Sequence, residues 1–279
     1  MARSRPAARA ALLAAALLLA TGCGPEVLTD TSRVPSPPSS VDDPAETPAE
    51  DPAGNPAGVP EAPGTISVLD TVSTVVPQPW GMTELPDGTV VVSSRDEHHL
   101  YRVAVRTGKV VDLGEVPGVD GEGDGGLLGV AASPNFVTDK RLYVYYSTRV
   151  DQRVAQVTLR PGELGRPATL SPPTVVLSGI PRGTSNVGGA LVFGPGGMLF
   201  VGTGDAGLPA LAGDLDSLGG KVLRMTPLGL PAPDNPFPGS VVYSYGHRNV
   251  QGLTFDGTGR LLASEVGDVA GELNWIRPG

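Results

Sequence analysis

The sequence is poor in cysteine, in basic charge and in helical periodicity. Cys23 is the only cysteine among 279 residues, which excludes a disulfide framework and leaves burial to stabilise the folded part. Lysine and arginine number 20 against 29 aspartates and glutamates. With no basic stripe to neutralise phosphates, a nucleic-acid partner is excluded. No long segment has the 3.6-residue spacing of an amphipathic helix, which argues against a mainly helical fold.

The first 23 residues have the order of a bacterial export signal. Three arginines within residues 1–9 precede an apolar run at 10–20, and small residues then lead to Cys23. This run is too short for a membrane-spanning helix, which needs roughly 20 residues. We therefore expect 1–22 to be a lipoprotein signal peptide and Cys23 to be acylated. The domain would then lie outside the cytoplasm, attached to the bacterial membrane through the lipid anchor only. The alternative is an ordinary cleaved signal, because Ala20 stands where lipoboxes prefer leucine.

Residues 23–63 differ in composition from all that follows. Proline, acidic and small polar residues dominate, as in PSPPSS at 35–40 and AEDPAGNP at 49–56. A segment with so few large apolar side chains cannot form a core and is typical of a disordered tether. We predict an acylated tether over 23–63 and a folded domain over 64–279.

The folded part repeats a turn followed by a short apolar strand. The four clearest copies are LPDGTVVVSS at 85–94, SPNF at 133–136 with RLYVYYS at 141–147, GPGGMLFVGT at 194–203 and FDGTGRLLAS at 255–264. Their spacing of roughly 50–60 residues is near the period of a four-stranded propeller blade, and their Asp-Gly and Gly-Gly pairs suit tight hairpins. The pattern predicts an all-β propeller of about four blades, with a β-sandwich as the alternative.

Seven sequence words, in order, carry a family resemblance. They are PWGM at 79–82, GLLGVA with SPNF at 126–136, FGP at 193–195, MLFVGTGDAG at 198–207, LGGKVLR at 218–224, YGHRNVQG at 245–252 and ELN at 272–274. Together they resemble the glucose/sorbosone dehydrogenase family of quinoprotein aldose sugar dehydrogenases. The resemblance implies a six-bladed propeller that binds PQQ and calcium, oxidises an aldose sugar at C1 and passes electrons to an external acceptor.

The resemblance also assigns residues to the cofactor. Arg248 matches the arginine that lies against the reacting quinone oxygen, where a planar cation stabilises negative charge, although it could instead cap a blade edge. Asn249 matches a cofactor-contacting amide, and Asp124 stands in the place of a longer glutamine or glutamate near the cofactor.

The calcium site implied by the resemblance lies near the C-terminal end of the sequence. Gly267 and Asp268 match the residues whose backbone carbonyls hold the ion, a ligation that suits a hard cation and tolerates side-chain change. Glu272 follows in an acidic turn and is either a further ligand or a hairpin residue.

The family's general base is a histidine, and here Asn186 stands in its place. The family word is of the type HNGGR, whereas this sequence has NVGGA at 186–190, so Ala190 also replaces an arginine. An amide accepts a hydrogen bond but not a proton near neutral pH, and losing a positioned base typically costs 10² to 10⁴ in rate. His98 and His99 are expected to be exposed in a hairpin. His247 either orients Arg248 or packs in the core.

Two further features qualify this interpretation. The glycine-rich run 120–125 begins like an EF-hand loop, but position 12 is Ala131 rather than the bidentate glutamate, so we expect a turn. The sequence ends at Gly279, where relatives continue into further blades, and we expect a C-terminally truncated propeller. Three interpretations stay open: a dehydrogenase, a non-catalytic propeller lipoprotein that binds a sugar or protein at the cell surface, and a truncated product without function.

Overall fold

The computed structural model describes residues 68, 70–162, 168–267 and 269–279. Every element described below lies in one compact unit, residues 65–279. Cys23 and Asp268 lie outside the described residues, and so do residues 1–67. None of the helices in the described residues is both long enough and apolar enough to cross a membrane.

Four antiparallel sheets follow one another along the described chain. The first contains β1 (Pro79–Glu84), β2 (Thr89–Ser94), β3 (His99–Ala104) and β4 (Lys109–Glu115). The second contains β5 (Leu127–Ala132), β6 (Arg141–Ser147), β7 (Gln152–Arg160) and β9 (Thr174–Ile180), with the two-residue β8 (Thr169–Leu170) at the end of β7. Helix α1 (Phe136–Asp139) joins β5 to β6.

The third and fourth sheets follow the same plan. The third contains β10 (Gly188–Phe193), β11 (Leu199–Thr203), β12 (Lys221–Met225) and β13 (Val242–Tyr245), with a 3₁₀ turn at Pro195–Gly197 and α2 (Ala210–Gly213) between its strands. The fourth contains β14 (Val250–Phe255), β15 (Leu261–Val266) and β16 (Gly271–Ile276). The predicted all-β propeller of about four blades is confirmed, and the β-sandwich alternative is wrong.

Alternation along each strand places successive apolar side chains in different inter-blade cores. Leu199 and Val201 of β11 pack in the core between the second and third sheets, whereas Phe200 between them packs in the core between the third and fourth. A separate core joins the first sheet to the second. Because side chains alternate between the two faces of a strand, the second and third blades are buried on both faces by their neighbours. The first and fourth blades each pack against one neighbour.

The innermost strands approach one another closely enough to require glycine. A Cβ at Gly129 of β5 would lie 2.0 Å from the carbonyl oxygen of Gly189 in β10, and a Cβ at Gly81 of β1 would lie 2.8 Å from that of Leu128. Neither position admits a side chain without moving the backbone. The glycines therefore set the distance between blades at the centre of the propeller.

Candidate active site

The candidate site lies where the innermost strands of the second, third and fourth blades begin. Gly126 precedes β5, Val187 precedes β10, and Asn249 precedes β14. The loops before these strands are joined by hydrogen bonds, since Asn186 donates its backbone N–H to Asp124 Oδ2 at 3.3 Å and Gly188 donates to Asn249 Oδ1 at 2.9 Å. The structure thus brings together Asp124, Asn186, Arg248 and Asn249, which the sequence spreads over 126 positions (124 to 249).

Asn186 is held in a strained and oriented position. Its φ of 52° lies in the left-handed region, which asparagine tolerates better than most residues. Its Nδ2 donates to Asp205 Oδ1 at 2.9 Å, and this bond fixes which side of the amide faces Asp205. The carbonyl Oδ1 therefore lies on the other side of the amide from Asp205, and its chemistry is that of a hydrogen-bond acceptor.

Asp205 is a member of the site that the sequence analysis did not identify. It is 1% exposed, and its Oδ1 also accepts the N–H of Gly207 at 2.8 Å. Its own N–H donates to the carbonyl of Arg248 at 2.8 Å. The GTGD word around it indicated only a turn, because its partners Asn186 and Arg248 come from a different loop and a different blade.

Arg248 binds the end of β15 in this structure. Its Nη1 donates to the carbonyls of Val266 at 3.2 Å and Gly267 at 2.8 Å, while its backbone N–H donates to Glu265 Oε2 at 3.1 Å. Strand-end capping, the structural alternative raised by the sequence, therefore describes these contacts. The side chain is half-buried, so the guanidinium lies at the edge of the site.

A buried polar network supports this arginine, and the sequence analysis did not identify it. Glu265 is 7% exposed, and its Oε1 accepts Nδ2 of Asn274 at 2.6 Å and lies 3.3 Å from Nδ1 of His247. Ser244 Oγ lies 2.9 Å from the other ring nitrogen of His247. Burial raises the pKa of the Glu265 carboxyl, but hydrogen bonds from His247, Arg248 and Asn274 outweigh it and hold the pKa below its usual value. His247 is thus both a packed core histidine and a neighbour of the group that binds Arg248.

Gly267 and Glu272, two of the residues expected to hold calcium, lie beside this network. The Gly267 carbonyl accepts from Arg248, and Glu272 is exposed, with its Oε1 2.8 Å from where a Cβ on Gly267 would lie. The described residues contain no cluster of three histidine, cysteine, aspartate or glutamate side chains that could hold a metal. Hard oxygen donors are present in this part of the site, but they come mainly from the backbone.

The run 120–125 is a turn, and the two adjacent histidines are partly buried. Asp120 pairs with Arg182 and lies 3.7 Å from Arg149, so its carboxylate is committed to ion pairs.

The expectation that His98 and His99 are exposed is wrong, because both are half-buried. His98 packs beneath the turn, with Nε2 3.1 Å from where a Cβ on Gly121 would lie, and His99 pairs with Asp112 at 3.0 Å.

Lys221 fixes the loop between β11 and β12 beneath the site. It is fully buried, and its Nζ donates to the carbonyls of Leu211 at 2.7 Å, Ala212 at 3.0 Å and Gly219 at 2.6 Å. These three bonds use every donor of the ammonium group. Burial lowers the pKa of Lys221. Because its partners are backbone atoms, the sequence carries no signal for this contact.

Comparison with known proteins places these features in a family. The model of the glucose/sorbosone dehydrogenase family matches residues 76–279. The aldose sugar dehydrogenase YliI of Escherichia coli strain K12 is 33% identical over 205 residues, which cover 70% of this chain and 54% of the relative. Quinoprotein glucose dehydrogenase B of Acinetobacter calcoaceticus is 31% identical over 218 residues, covering 67% of this chain and 45% of the relative. The chain spans about half the length of these curated relatives.

Solved structures give the same result. The PQQ-bound form of the aldose sugar dehydrogenase from Streptomyces coelicolor is 50% identical, with a TM-score of 0.73 over 76% of this chain and 64% of that one. The soluble aldose sugar dehydrogenase from Escherichia coli, in its apo form, is 31% identical, with a TM-score of 0.63 over 73% of this chain and 62% of that one. The likeness therefore includes the fold, and the range matched by the family model contains the residues of the candidate site.

Proposed function

The chain belongs to the glucose/sorbosone dehydrogenase family, and from this premise we propose that it is part of a PQQ-dependent oxidoreductase that oxidises the C1 hydroxyl of aldose sugars and passes electrons to an external acceptor. The observation that carries the proposal is the convergence of Asn186, Asp205, Arg248 and Asn249 at one end of the innermost strands. These residues come from three separate segments of the sequence, and the fold brings the segments together. Since a fold does not determine a function, the proposal depends on this site.

The polar side chains of the site fit the quinone end of PQQ. A half-buried guanidinium at Arg248 is suited to an anionic oxygen, and the amide oxygen of Asn186 points away from Asp205. Asn249 is 4% exposed and supports the loop through Gly188, so its contribution is to shape the floor of the site. Arg248 and Asn186 would therefore contact the cofactor and the substrate, with Asn249 and Asp124 holding the loops.

The chemistry divides between cofactor and protein. PQQ, when bound, supplies the two-electron acceptor for the sugar. Asn186 orients a sugar hydroxyl by accepting its hydrogen bond, but its amide cannot hold the proton that a histidine would take. Asp205 accepts a hydrogen bond from Nδ2 of Asn186. This bond keeps the amide oxygen Oδ1 of Asn186 directed into the site. We infer that oxidation is slow because no base replaces the family's histidine.

For calcium we propose the Gly267 carbonyl together with Asp268 and Glu272. Backbone and carboxylate oxygens are the ligands that Ca²⁺ prefers. In the structure Arg248 donates to the Gly267 carbonyl, whose oxygen has a second lone pair for another partner. Calcium at Gly267 would bind beside the guanidinium, against the repulsion between the two positive charges.

We propose as a second candidate a propeller lipoprotein that binds a sugar or protein at the cell surface without oxidising a substrate. Asn186 favours it, since it leaves a hydrogen-bonding site without a base, and so does Ala190, where the family has an arginine. Ala190 is 4% exposed and packs between the third and fourth blades, which is a structural role. The surface location itself rests on Cys23. Incorporation of radiolabelled palmitate into the full chain, and its loss in Cys23→Ser, is the expected result for a lipid anchor.

The deciding experiment is titration of PQQ into the purified full chain, with and without Ca²⁺, following cofactor absorbance and the melting temperature. Saturable binding with a rise in melting temperature supports the dehydrogenase proposal, since a ligand that binds only the folded state stabilises it. A folded, monodisperse protein that does not bind PQQ would contradict it and favour the second candidate. Dye-linked oxidation of a panel of aldoses then identifies the sugar.

A further inference from the structure

Glu265 is a buried carboxylate that contacts the Arg248 backbone with one oxygen and His247 and Asn274 with the other. Oε2 accepts the Arg248 N–H, while Oε1 accepts from Asn274 on the neighbouring strand and faces His247. Both oxygens of this carboxyl have hydrogen-bonding partners, and burying such a polar group is costly unless it is paired. The cost of burial therefore favours a specific role for the carboxylate over incidental packing.

Arg248 contacts the end of β15 through both its backbone N–H and its guanidinium. The backbone N–H of Arg248 binds Glu265, and its guanidinium binds the carbonyls of the next two residues, Val266 and Gly267. The same arginine is tied to the third blade, because its carbonyl accepts the N–H of Asp205. The backbone position of Arg248 is thus set by Glu265 on one side and Asp205 on the other.

We propose that Glu265 is the positioning residue for Arg248, holding its backbone so that the guanidinium stays beside the carbonyls of Val266 and Gly267. Its meaning for catalysis rests on the proposed function, in which Arg248 faces the quinone oxygen. Glu265 acts through Arg248 and does not touch the cofactor. His247 and Asn274 orient the carboxylate from the other side.

The substitution Glu265→Gln tests this because it keeps the shape and changes the donors. Glutamine has one acceptor oxygen and one NH₂ group, whereas Glu265 presents two acceptors to donors on opposite sides. Either orientation of the amide places the NH₂ group against another N–H donor, at Arg248 or at Asn274. A contact of this kind to a charged acceptor contributes about 1.5–3 kcal/mol, which corresponds to about 10- to 100-fold in an equilibrium.

The first measurement uses the full chain without cofactor. Amide hydrogen exchange at Arg248, followed by NMR, is expected to speed up at least about tenfold in Glu265→Gln. The matched change Asp256→Asn, which removes a carboxylate from the exposed turn at the other end of β15, is expected to leave that exchange unchanged. Unaltered exchange at Arg248 in Glu265→Gln would overturn the proposal whether or not PQQ binds. If Glu265→Gln unfolds, Glu265→Asp, which keeps the charge but shortens the reach, replaces it, with the same expected result and the same contradicting one.

The second measurement is a double-variant cycle on PQQ affinity. Glu265→Gln and Arg248→Lys are each expected to weaken binding about 10-fold or more, and the double variant is expected to bind no more weakly than Arg248→Lys alone. Fully additive losses would show that Glu265 acts independently of Arg248 and would overturn the proposal. Absence of PQQ binding to the unsubstituted chain would instead contradict the proposed function, and the exchange measurement alone then decides the role of Glu265.

Discussion

Nδ2 of Asn186 donates to Oδ1 of Asp205 across 2.9 Å, and this pair defines what the site can do. Asp205 is 1% exposed, so it orients the Asn186 amide from the protein interior. A histidine at position 186 could give one ring nitrogen to Asp205 and keep the other as a base. An asparagine has no such second nitrogen, so Asn186 itself cannot serve as a base in the proposed function.

Asn186→His is expected to raise dye-linked sugar oxidation by about 100-fold or more in PQQ-loaded protein, the usual contribution of a positioned base. The matched control is Asn186→Gln, which enlarges the side chain but supplies no base and should give no increase. Steady-state rates at saturating PQQ measure the effect. No gain in a variant that binds PQQ would contradict the idea that position 186 limits catalysis.

Restoring the family's arginine at position 190 should not accompany that change. Ala190 is 4% exposed, and its Cβ lies 3.1 Å from where a Cβ on Gly202 would stand, so Ala190→Arg would place a guanidinium in a closed core. Overpacking of this kind typically costs about 1–3 kcal/mol, and a buried unpaired charge costs more. The single change at 186 is therefore the clean test.

Asp205→Ala is expected to lower the free energy of unfolding by about 2 kcal/mol, because the donors of Asn186 and Gly207 lose a buried acceptor. Urea denaturation of the full chain measures the loss. Asp216→Ala, at an exposed position in the following loop, should change stability by less than about 0.5 kcal/mol. Equal effects of the two substitutions would show that Asp205 does not hold the Asn186 loop.

The strands could be predicted from the sequence, but the contacts of the site could not. The alternation in LFVGT at 199–203 is local, and the inter-blade cores follow from it. Asp205 lies 19 residues from Asn186, and Glu265 lies 17 residues from Arg248, so each pair forms only when blades or strands are juxtaposed. The resemblance could supply Arg248 and Asn186, whose identities are tied to the chemistry, but not the contacts of Lys221 with backbone carbonyls or those of Glu265 with the Arg248 backbone and the His247 and Asn274 side chains.

Lys221→Met is expected to destabilise the domain by about 3 kcal/mol, since the carbonyls of Leu211, Ala212 and Gly219 lose their shared donor. Methionine keeps most of the buried stem, so the loss reports the ammonium group. Lys109→Met, at an exposed position in β4, is the control and should have little effect. Thermal unfolding of the three proteins compares them. An unchanged melting temperature for Lys221→Met would show that water or neighbouring groups satisfy these carbonyls.

Acid sensitivity provides a test of Glu265 that needs no cofactor. Its pKa in the folded protein lies below the ordinary value of 4.5. As the pH falls through about 4.5 the unfolded chain binds a proton before the folded one does, so the free energy of unfolding decreases from there down to the folded pKa. Asp87, Asp151 and Asp256 also have lowered pKa values, so the acid transition persists in every single variant.

Glu265→Gln is expected to start less stable at neutral pH and to lose less stability than the unsubstituted chain as the pH falls below about 4.5. Urea denaturation at neutral pH and at two or three pH values below about 4.5 measures the difference in slope. Glu115→Gln, which removes an exposed carboxylate at the end of β4, controls for the change in net charge. Parallel curves for Glu265→Gln and the unsubstituted chain would contradict ionisation of Glu265 as a source of stability. In that case Glu265 would contact Arg248 without stabilising the folded state. The buried hydrogen bonds at both of its oxygens predict the opposite.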